Sequence, residues 1–347
     1  MSGQKTVLIT GGAGFIGANL IRTLLATSNY QIHAVIAPNS SLWRLTDILP
    51  NITIHEIDLS NTAAIRALVH TIKPNLIYHL AAYGGMPNEL QSTMVYDVNF
   101  YGTMHLLNAC KEIGFDCFIN TGSSSEYGMK QEPMHEAMAL EPLSDYGVAK
   151  AAATQYCLKE ALFNKLPIYT IRPFSVYGDY ELGTRLIPTI MVNALTNQRI
   201  SLSNPTSVRD FIYIHDLING YRQVTEQRPT QAHIFNLGSG QQSTIGDVVT
   251  LVQSIIGKPL DVAWGSAAAR PWEPTHWQAN THQAQTMLGW HPNYTLEQGL
   301  RASIAWFNAN VERYLDRKDG NADNAASQGH PSATKTNIRG HGTSMPS

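Results

Sequence analysis

The residues Val7-Leu-Ile-Thr-Gly-Gly-Ala-Gly-Phe-Ile-Gly17 decide the fold. A short β-branched run enters a glycine turn, and an apolar-periodic stretch from Ala18 to about Ala26 follows, so the segment reads as strand, turn and helix. Gly12, Gly14 and Gly17 satisfy G-x-G-x-x-G, and Gly11, Gly14 and Gly17 satisfy the G-x-x-G-x-x-G variant. Glycines are needed because the backbone must turn tightly, approach a pyrophosphate without a Cβ in the way, and let the helix lie close on its strand. The helix start at Phe15 and Ile16 then offers N–H groups and a positive dipole end to phosphates. The stretch predicts a dinucleotide cradle made by Gly11, Gly14, Phe15, Ile16 and Gly17.

Outward from the cradle, strand-like and helix-like segments alternate. Strands are expected over 31–36, 52–57, 75–80 and 115–121, and helices over 65–72, 93–113 and 144–163. That alternation predicts an α/β fold, a Rossmann-type doubly wound parallel sheet with ligands at the C-terminal strand ends. The tip after the second strand, Ala37-Pro-Asn-Ser-Ser-Leu-Trp-Arg44, has no acid for a ribose 2′-hydroxyl. Ser40 and Arg44 would bind a 2′-phosphate instead, which favours NADP(H) over NAD(H). The competing reading makes Arg44 a solvated surface charge. Asp58, followed by Leu59, is placed to accept from an adenine amino group or to cap a helix. Leu80, Ala81 and Ala82 leave room for cofactor ribose and phosphate, and His79 reads as a packed strand residue.

Tyr146-Gly-Val-Ala-Lys150 places a phenol and an ammonium one above the other on one helix face. An unperturbed phenol has a pKa of about 10, and a neighbouring positive charge favours phenolate. The tyrosine then takes a proton from a substrate alcohol while a hydride leaves the same carbon, or returns one in the reverse direction. Ser123, just past the fifth strand, supplies a hydroxyl for the same oxygen. Tyr-x-x-x-Lys alone is common by chance; its position after a dinucleotide turn and a serine-tipped strand gives it weight.

Composition bounds the partners. The 347 residues carry 14% charged side chains and a formal net charge of -2, which predicts no nucleic-acid surface and no anionic-membrane surface. No apolar run approaches the roughly 18 residues of a membrane span, and the first strand is too short and too soon followed by glycines to be a signal peptide. Cys110, Cys117 and Cys157 have no metal-type spacing, so no metal is expected, and they read as reduced thiols of a cytoplasmic protein. Residues 316–347 have almost no large apolar side chains and are predicted to be a disordered tail.

Over residues 5 to 312 the chain resembles the extended short-chain dehydrogenase/reductase family, in particular its nucleotide-sugar epimerases, dehydratases and 4-keto reductases. The resemblance rests on the glycine turn, Asp58-Leu59, His79-Leu-Ala-Ala82, Asn99 before Gly102-Thr103, Ser123 with Tyr127-Gly128, and Tyr146 with Lys150. It continues through Arg172-Pro173 with Tyr177-Gly178, Arg209-Asp-Phe-Ile-Tyr213 with His215-Asp216, Phe235-Asn-Leu-Gly238, Arg270-Pro271 and Leu288-Gly-Trp290. It implies Ser123, Tyr146 and Lys150 as catalytic residues and adds Asn99 to the cofactor site. It also implies a nucleotide-diphosphate sugar substrate gripped by Arg209 and Arg270, two guanidiniums suited to a pyrophosphate. Residues 1–178 with 208–226 form the expected cofactor domain, and 179–207 with 227–315 a smaller C-terminal substrate lobe. A homodimer through the helices near 93–113 and 144–164 is expected as well.

Departures from the family pattern bear on subtype. A 4,6-dehydratase places Asp-Glu or Ser-Glu directly after its catalytic hydroxyl; the matching positions are Ser124 and Ser125, neutral residues that would face substrate. Glu126 is one residue out of register. Ser175 and Asn280 replace an asparagine and an aspartate that are usual at those positions. The segment 119–128 looks like the abequose-synthase type of 4-reductase. With NADP(H) favoured, reduction of a 4-keto-6-deoxy sugar ranks first. The alternatives are a 4-epimerase, then a dehydratase, then a non-catalytic NADP(H)-binding partner protein.

Overall fold

The computed structural model describes residues 4–84, 92–267 and 273–315. Arg270 and the expected disordered tail, 316–347, lie outside the described residues.

Val7, Leu8 and Ile9 have no solvent exposure, which explains a continuous rather than alternating apolar run: their strand, β1 (Thr6–Thr10), is covered on both faces. Val7 and Ile9 feed one core, and Leu8 the other. The first half of the chain then runs α1 (Phe15–Thr27), β2 (Gln31–Ile36), β3 (Thr53–Glu56), α2 (Thr62–Ile72), β4 (Leu76–His79), α3 (Ser92–Tyr96), α4 (Gly102–Ile113), β5 (Cys117–Thr121) and α5 (Asp145–Asn164). It continues through β6 (Ile168–Pro173), β7 (Ser175–Tyr177), α6 (Leu186–Leu195), β8 (Ile200–Leu202), β9 (Val208–Tyr213), α7 (Ile214–Gln227), β10 (Ile234–Leu237), β11 (Gln242–Thr244), α8 (Ile245–Ile256), β12 (Val262–Trp264), α9 (His282–Leu288), α10 (Leu296–Asn310) and α11 (Glu312–Leu315).

The main sheet has seven strands in the order β10-β6-β5-β4-β1-β2-β3, and every pairing is parallel. Helices α1 and α7 feed the core on one face, and α2, α4 and α5 the core on the other. The order reverses at β1, between β2 and β4, the crevice where a doubly wound sheet binds ligands.

Two details differ from the sequence reading. The expected helix 93–113 contains a widened π turn, Asp97–Tyr101, between α3 and α4. Of residues 208–226, assigned with 1–178 to the cofactor domain, only α7 packs on the main sheet. Strand β9 pairs with β7 and β11 in a separate three-stranded sheet, and the seventh strand is β10, from within the segment assigned to the substrate lobe. All three cysteines are unpaired and buried. Among the described residues no helix is long and apolar enough to cross a membrane.

Candidate active site

The cradle is shaped by what a side chain would hit. Gly11 has φ +69°, and a Cβ on it would lie 2.7 Å from the Ala81 amide nitrogen, so the turn abuts the end of β4. A Cβ on Gly17 would lie 2.3 Å from the Gly11 carbonyl oxygen, and one on Gly14 would lie 3.0 Å from it. Helix α1 starts at Gly14 without a side-chain cap and without an acid in its first turn. The leading N–H groups at Phe15 and Ile16 therefore meet no carboxylate from their own turn, which fits a dinucleotide pyrophosphate.

Around the cradle the structure revises several roles. Arg44 is neither an open phosphate ligand nor a solvated charge: it is buried, its Nε donates to the Tyr180 carbonyl at 2.8 Å and a terminal nitrogen donates to the Ala13 carbonyl at 3.4 Å. Its guanidinium lies 4.4 Å from the Trp43 ring centre. Arg44 thus braces the glycine turn against the chain entering the substrate lobe. Ser40 closes a turn by donating its backbone N–H to the Ala37 carbonyl at 3.1 Å. Asp58 is not the α2 cap; it accepts from Ser60 N–H at 2.8 Å, while Asn61 caps the helix by accepting from Ala64 N–H at 3.0 Å. Leu59 packs against Gly102, where a Cβ would come within 3.1 Å of its own. Asn99 is fully buried in the π turn, and its carboxamide brackets the Tyr83 backbone, accepting at 3.0 Å and donating at 2.6 Å. It fixes the chain that leaves β4 past Leu80, Ala81 and Ala82. His79 sits between Thr10 and Thr103, 2.7 and 2.8 Å from their hydroxyls, and burial lowers its pKa to about 3.

The structure brings Ser123, Tyr146 and Lys150 together at the C-terminal end of β5. Ser123 opens a short 3-10 turn over Ser124–Glu126, and its Oγ accepts from Ser125 N–H at 3.1 Å, which orients the hydroxyl and leaves its proton to donate elsewhere. Ser144 caps α5 by accepting from Gly147 N–H at 3.1 Å. A Cβ on Gly147 would lie 2.7 Å from the Ser125 carbonyl, so glycine beside Tyr146 lets the first turn of α5 close onto the serine turn. Lys150 is fully buried, donates from Nζ to the Thr121 carbonyl at 2.9 Å and lies 5.9 Å from the Tyr146 ring centre. Burial lowers its pKa to about 8, with Glu126 pulling it back up, so it is mostly an ammonium at neutral pH.

In the lobe, Arg209 on β9 pairs with Glu273 at 3.2 Å. Among the described residues no cluster suits a metal ion.

The profile of the GDP-mannose 4,6-dehydratase family matches residues 8–303. The chain belongs to this family. It is an extended short-chain dehydrogenase/reductase, a pyridine-nucleotide-dependent type of enzyme whose members modify nucleotide sugars. A UDP-glucuronate 4-epimerase of Thermodesulfobacterium geofontis is 28% identical over 88% of this chain and 97% of its own length. A GDP-6-deoxy-D-mannose reductase of Pseudomonas aeruginosa is 25% identical over 88% and 98%. The crystal structure of UDP-glucuronic acid 4-epimerase from Bacillus cereus, with UDP-glucuronic acid and NAD, superimposes with TM-score 0.78 at 28% identity, covering 89% of this chain and 99% of that one. These likenesses bear out the α/β Rossmann reading.

Within this extended dehydrogenase, the structural roles of two motif residues, Asp210 and Asp216, escaped the sequence reading. Asp210, buried, accepts from Ser239 N–H at 2.6 Å, Ser239 Oγ at 2.7 Å, Gly240 N–H at 3.1 Å and Ala279 N–H at 2.9 Å. It ties β9 to the loop after β10. Asp216 accepts from the Asn293 and Tyr294 N–H groups at 2.9 and 3.0 Å, and Trp290 donates to the Asp216 carbonyl at 3.0 Å. The motifs His215-Asp216 and Leu288-Gly-Trp290 are therefore two halves of one clamp, which their spacing in the chain does not reveal.

Proposed function

We propose that this protein inverts the C4 hydroxyl of a nucleoside-diphosphate sugar. The reading is carried by Ser123, Tyr146 and Lys150 grouped at the end of β5, with only the neutral Ser124 and Ser125 where a dehydratase would place its second acid and base. Glu126 does not replace them, because its carboxylate is buried against Arg172 at 2.8 Å. The 28%-identical epimerases support C4 inversion over the reduction that ranked first from sequence, a ranking that leaned on Arg44 as a 2′-phosphate ligand. Reduction of a 4-keto sugar is the second reading, favoured by likeness to the Pseudomonas reductase.

Gly11, Gly14, Gly17 and the start of α1 would hold the pyrophosphate common to NAD and NADP, and the guanidinium of Arg44, bonded to the Tyr180 and Ala13 carbonyls, supports NAD over NADP. A nicotinamide, when bound, would supply hydride acceptance from C4 and its return. Tyr146 takes the C4 hydroxyl proton and gives it back to the epimeric alkoxide. Lys150 holds the phenolate form by its charge, and the Ser123 hydroxyl donates to the same substrate oxygen, orienting it toward Tyr146. Arg209, with Arg270, would grip the substrate diphosphate.

The test is Tyr146→Phe assayed on UDP-glucuronate and UDP-glucose by chromatographic separation of C4 epimers, with no nucleotide added. Wild type should interconvert epimers using its retained cofactor, and the variant should lose about two to four orders of magnitude. Stoichiometric NADPH consumption with a 4-keto-6-deoxy nucleotide sugar, and no epimer formation, would replace inversion by reduction. A homodimer through α5 and α4 is part of this reading, supported by Leu162 and Phe163, exposed at 58% and 82% on α5.

A further inference from the structure

The serine turn contains a carboxylate that the proposed reaction does not use. Glu126 has no solvent exposure. Its Oε1 accepts from the Ser123 backbone N–H at 2.8 Å and from Thr154 Oγ1 at 3.0 Å, and its Oε2 accepts from Arg172 Nε at 2.8 Å. Burial is the larger influence and raises its pKa above the ordinary carboxylate range, with Arg172, Ser123 and Thr154 pulling it back; three donors with no acceptor among them, one a guanidinium at 2.8 Å, are geometrically the surroundings of an ionised carboxylate. The niche is cut for it, because a Cβ on residue 122 would lie 2.3 Å from Oε1. Only glycine at that position admits the carboxylate.

The donors come from the reacting elements themselves. The Ser123 N–H belongs to the serine whose hydroxyl meets substrate. Thr154 stands one helical turn beyond Lys150 on α5, on the same face. Arg172 comes from β6 and continues the network, donating to the Tyr127 hydroxyl at 2.8 Å, which donates in turn to Asn236 Oδ1 on β10 at 2.7 Å. A buried ion pair is a poor device for stability, since well-packed apolar side chains do as well. Its placement between the two halves of the site calls for a role in that site.

We propose that Glu126 is a positioning residue that locks the Ser123 turn onto α5 and supplies the negative charge balancing the buried Lys150 ammonium. The proposal rests on the reading of Ser123, Tyr146 and Lys150 as the reacting groups. Apart from Tyr146, whose phenol is charged only once it has given up its proton in the proposed reaction, the other groups facing Lys150 do not supply that charge. The Thr121 carbonyl on β5 is neutral; His79 on β4 is neutral because burial holds its pKa near 3. On α5 itself, burial keeps the Cys157 thiol protonated. Tyr221 on α7, bonded to Thr121 Oγ1 at 2.7 Å, has its phenol pushed up by burial. Arg172 on β6 is a cation bonded to the opposite oxygen of the same carboxylate.

The experiment is an NMR titration of Lys150 in the full-length protein labelled with [13Cε]lysine, its signal assigned by its loss in Lys150→Arg. The wild-type midpoint is expected near 8. Glu126→Gln keeps shape and an acceptor oxygen but removes the charge, and should lower the midpoint by about one unit. At pH 8 that shift cuts the ammonium fraction about fivefold, and kcat should fall by the same factor with KM within about twofold. If Arg172, left uncompensated, prevents folding, the double change Glu126→Gln with Arg172→Gln is titrated instead, and a smaller downward shift is expected because the guanidinium that opposed the carboxylate is removed with it. A midpoint and a kcat that stay at wild-type values in either folded variant overturn the proposal. A fully active Tyr146→Phe would instead overturn the reading of the reacting groups, while the titration would still decide whether Glu126 balances Lys150.

Discussion

Glu181 sets up a pH dependence of stability with a definite sign. The side chain is buried where the chain leaves β7 for the substrate lobe, and its Oε2 finds no hydrogen-bond partner among the described residues. Burial pushes its pKa up to about 8 from an ordinary 4.5, although Arg185 and Arg44 pull the other way. The folded protein therefore keeps a proton that the unfolded chain releases near pH 4.5, and stability falls as pH rises through the window from about 4.5 to 8. Each pH unit inside that window costs up to about 1.4 kcal/mol, so this one group removes roughly 3 kcal/mol between pH 5 and pH 8. Glu181→Gln cannot ionise. An unpaired amide in that niche costs about the same at every pH, so the stability difference between variant and wild type isolates the titration. Urea unfolding followed by tryptophan fluorescence should show the variant gaining about 3 kcal/mol on the wild type from pH 5 to pH 8. Parallel stability profiles across that range would refute the assignment of a neutral carboxyl to Glu181.

Two further outcomes follow from the geometry. Arg44→Ala removes donors to the Ala13 and Tyr180 carbonyls and should weaken NADH and NADPH by similar factors in fluorescence titrations, whereas a loss of tenfold or more confined to NADPH would restore phosphate recognition by that side chain. Phe163→Glu replaces a ring that is 82% exposed on α5 with a charge, and sedimentation should show the proposed dimer in the wild type and monomer in the variant at micromolar concentration; a dimer unchanged in the variant would move the interface elsewhere.

The parts of this protein legible in the sequence are those whose chemistry is local. The strand–turn–helix form of the glycine stretch is read correctly because the contacts that forbid a side chain, from Gly17 to Gly11 and Gly12, lie within one short stretch. Tyr146 and Lys150 share a helix face, and Ser144 caps that helix three residues before Gly147. Parallel strands declare themselves by unbroken apolar runs, and both β2 and α5 fall close to where the pattern puts them. Arg44 fails this test. Its Nε acceptor, the Tyr180 carbonyl, is 136 residues away, so from sequence the guanidinium looks available. Strand β10 was hidden for a related reason: Ile234–Leu237 is only four residues long, and its membership of the main sheet depends on pairing with β6.

Glu126 shows why subtype is harder to read than family. Counted along the serine turn, it is simply an acid one position away from where a dehydratase wants one, and the alternation of an extended backbone predicts that it turns from the substrate. It does turn away, but the backbone there is a 3-10 turn rather than a strand, and the side chain folds back to its own cap residue. What decides its role is Arg172, 46 residues on, and Thr154, 28 residues on, which together make an ionised carboxylate stable behind the serine instead of in front of it. An apolar residue at the same position would release the Ser123 turn from Thr154, leave Arg172 without its carboxylate and remove the negative charge beneath Lys150. Differences in activity among enzymes that share this triad can therefore arise one layer behind the reacting groups, where a motif records the residue but not its partners.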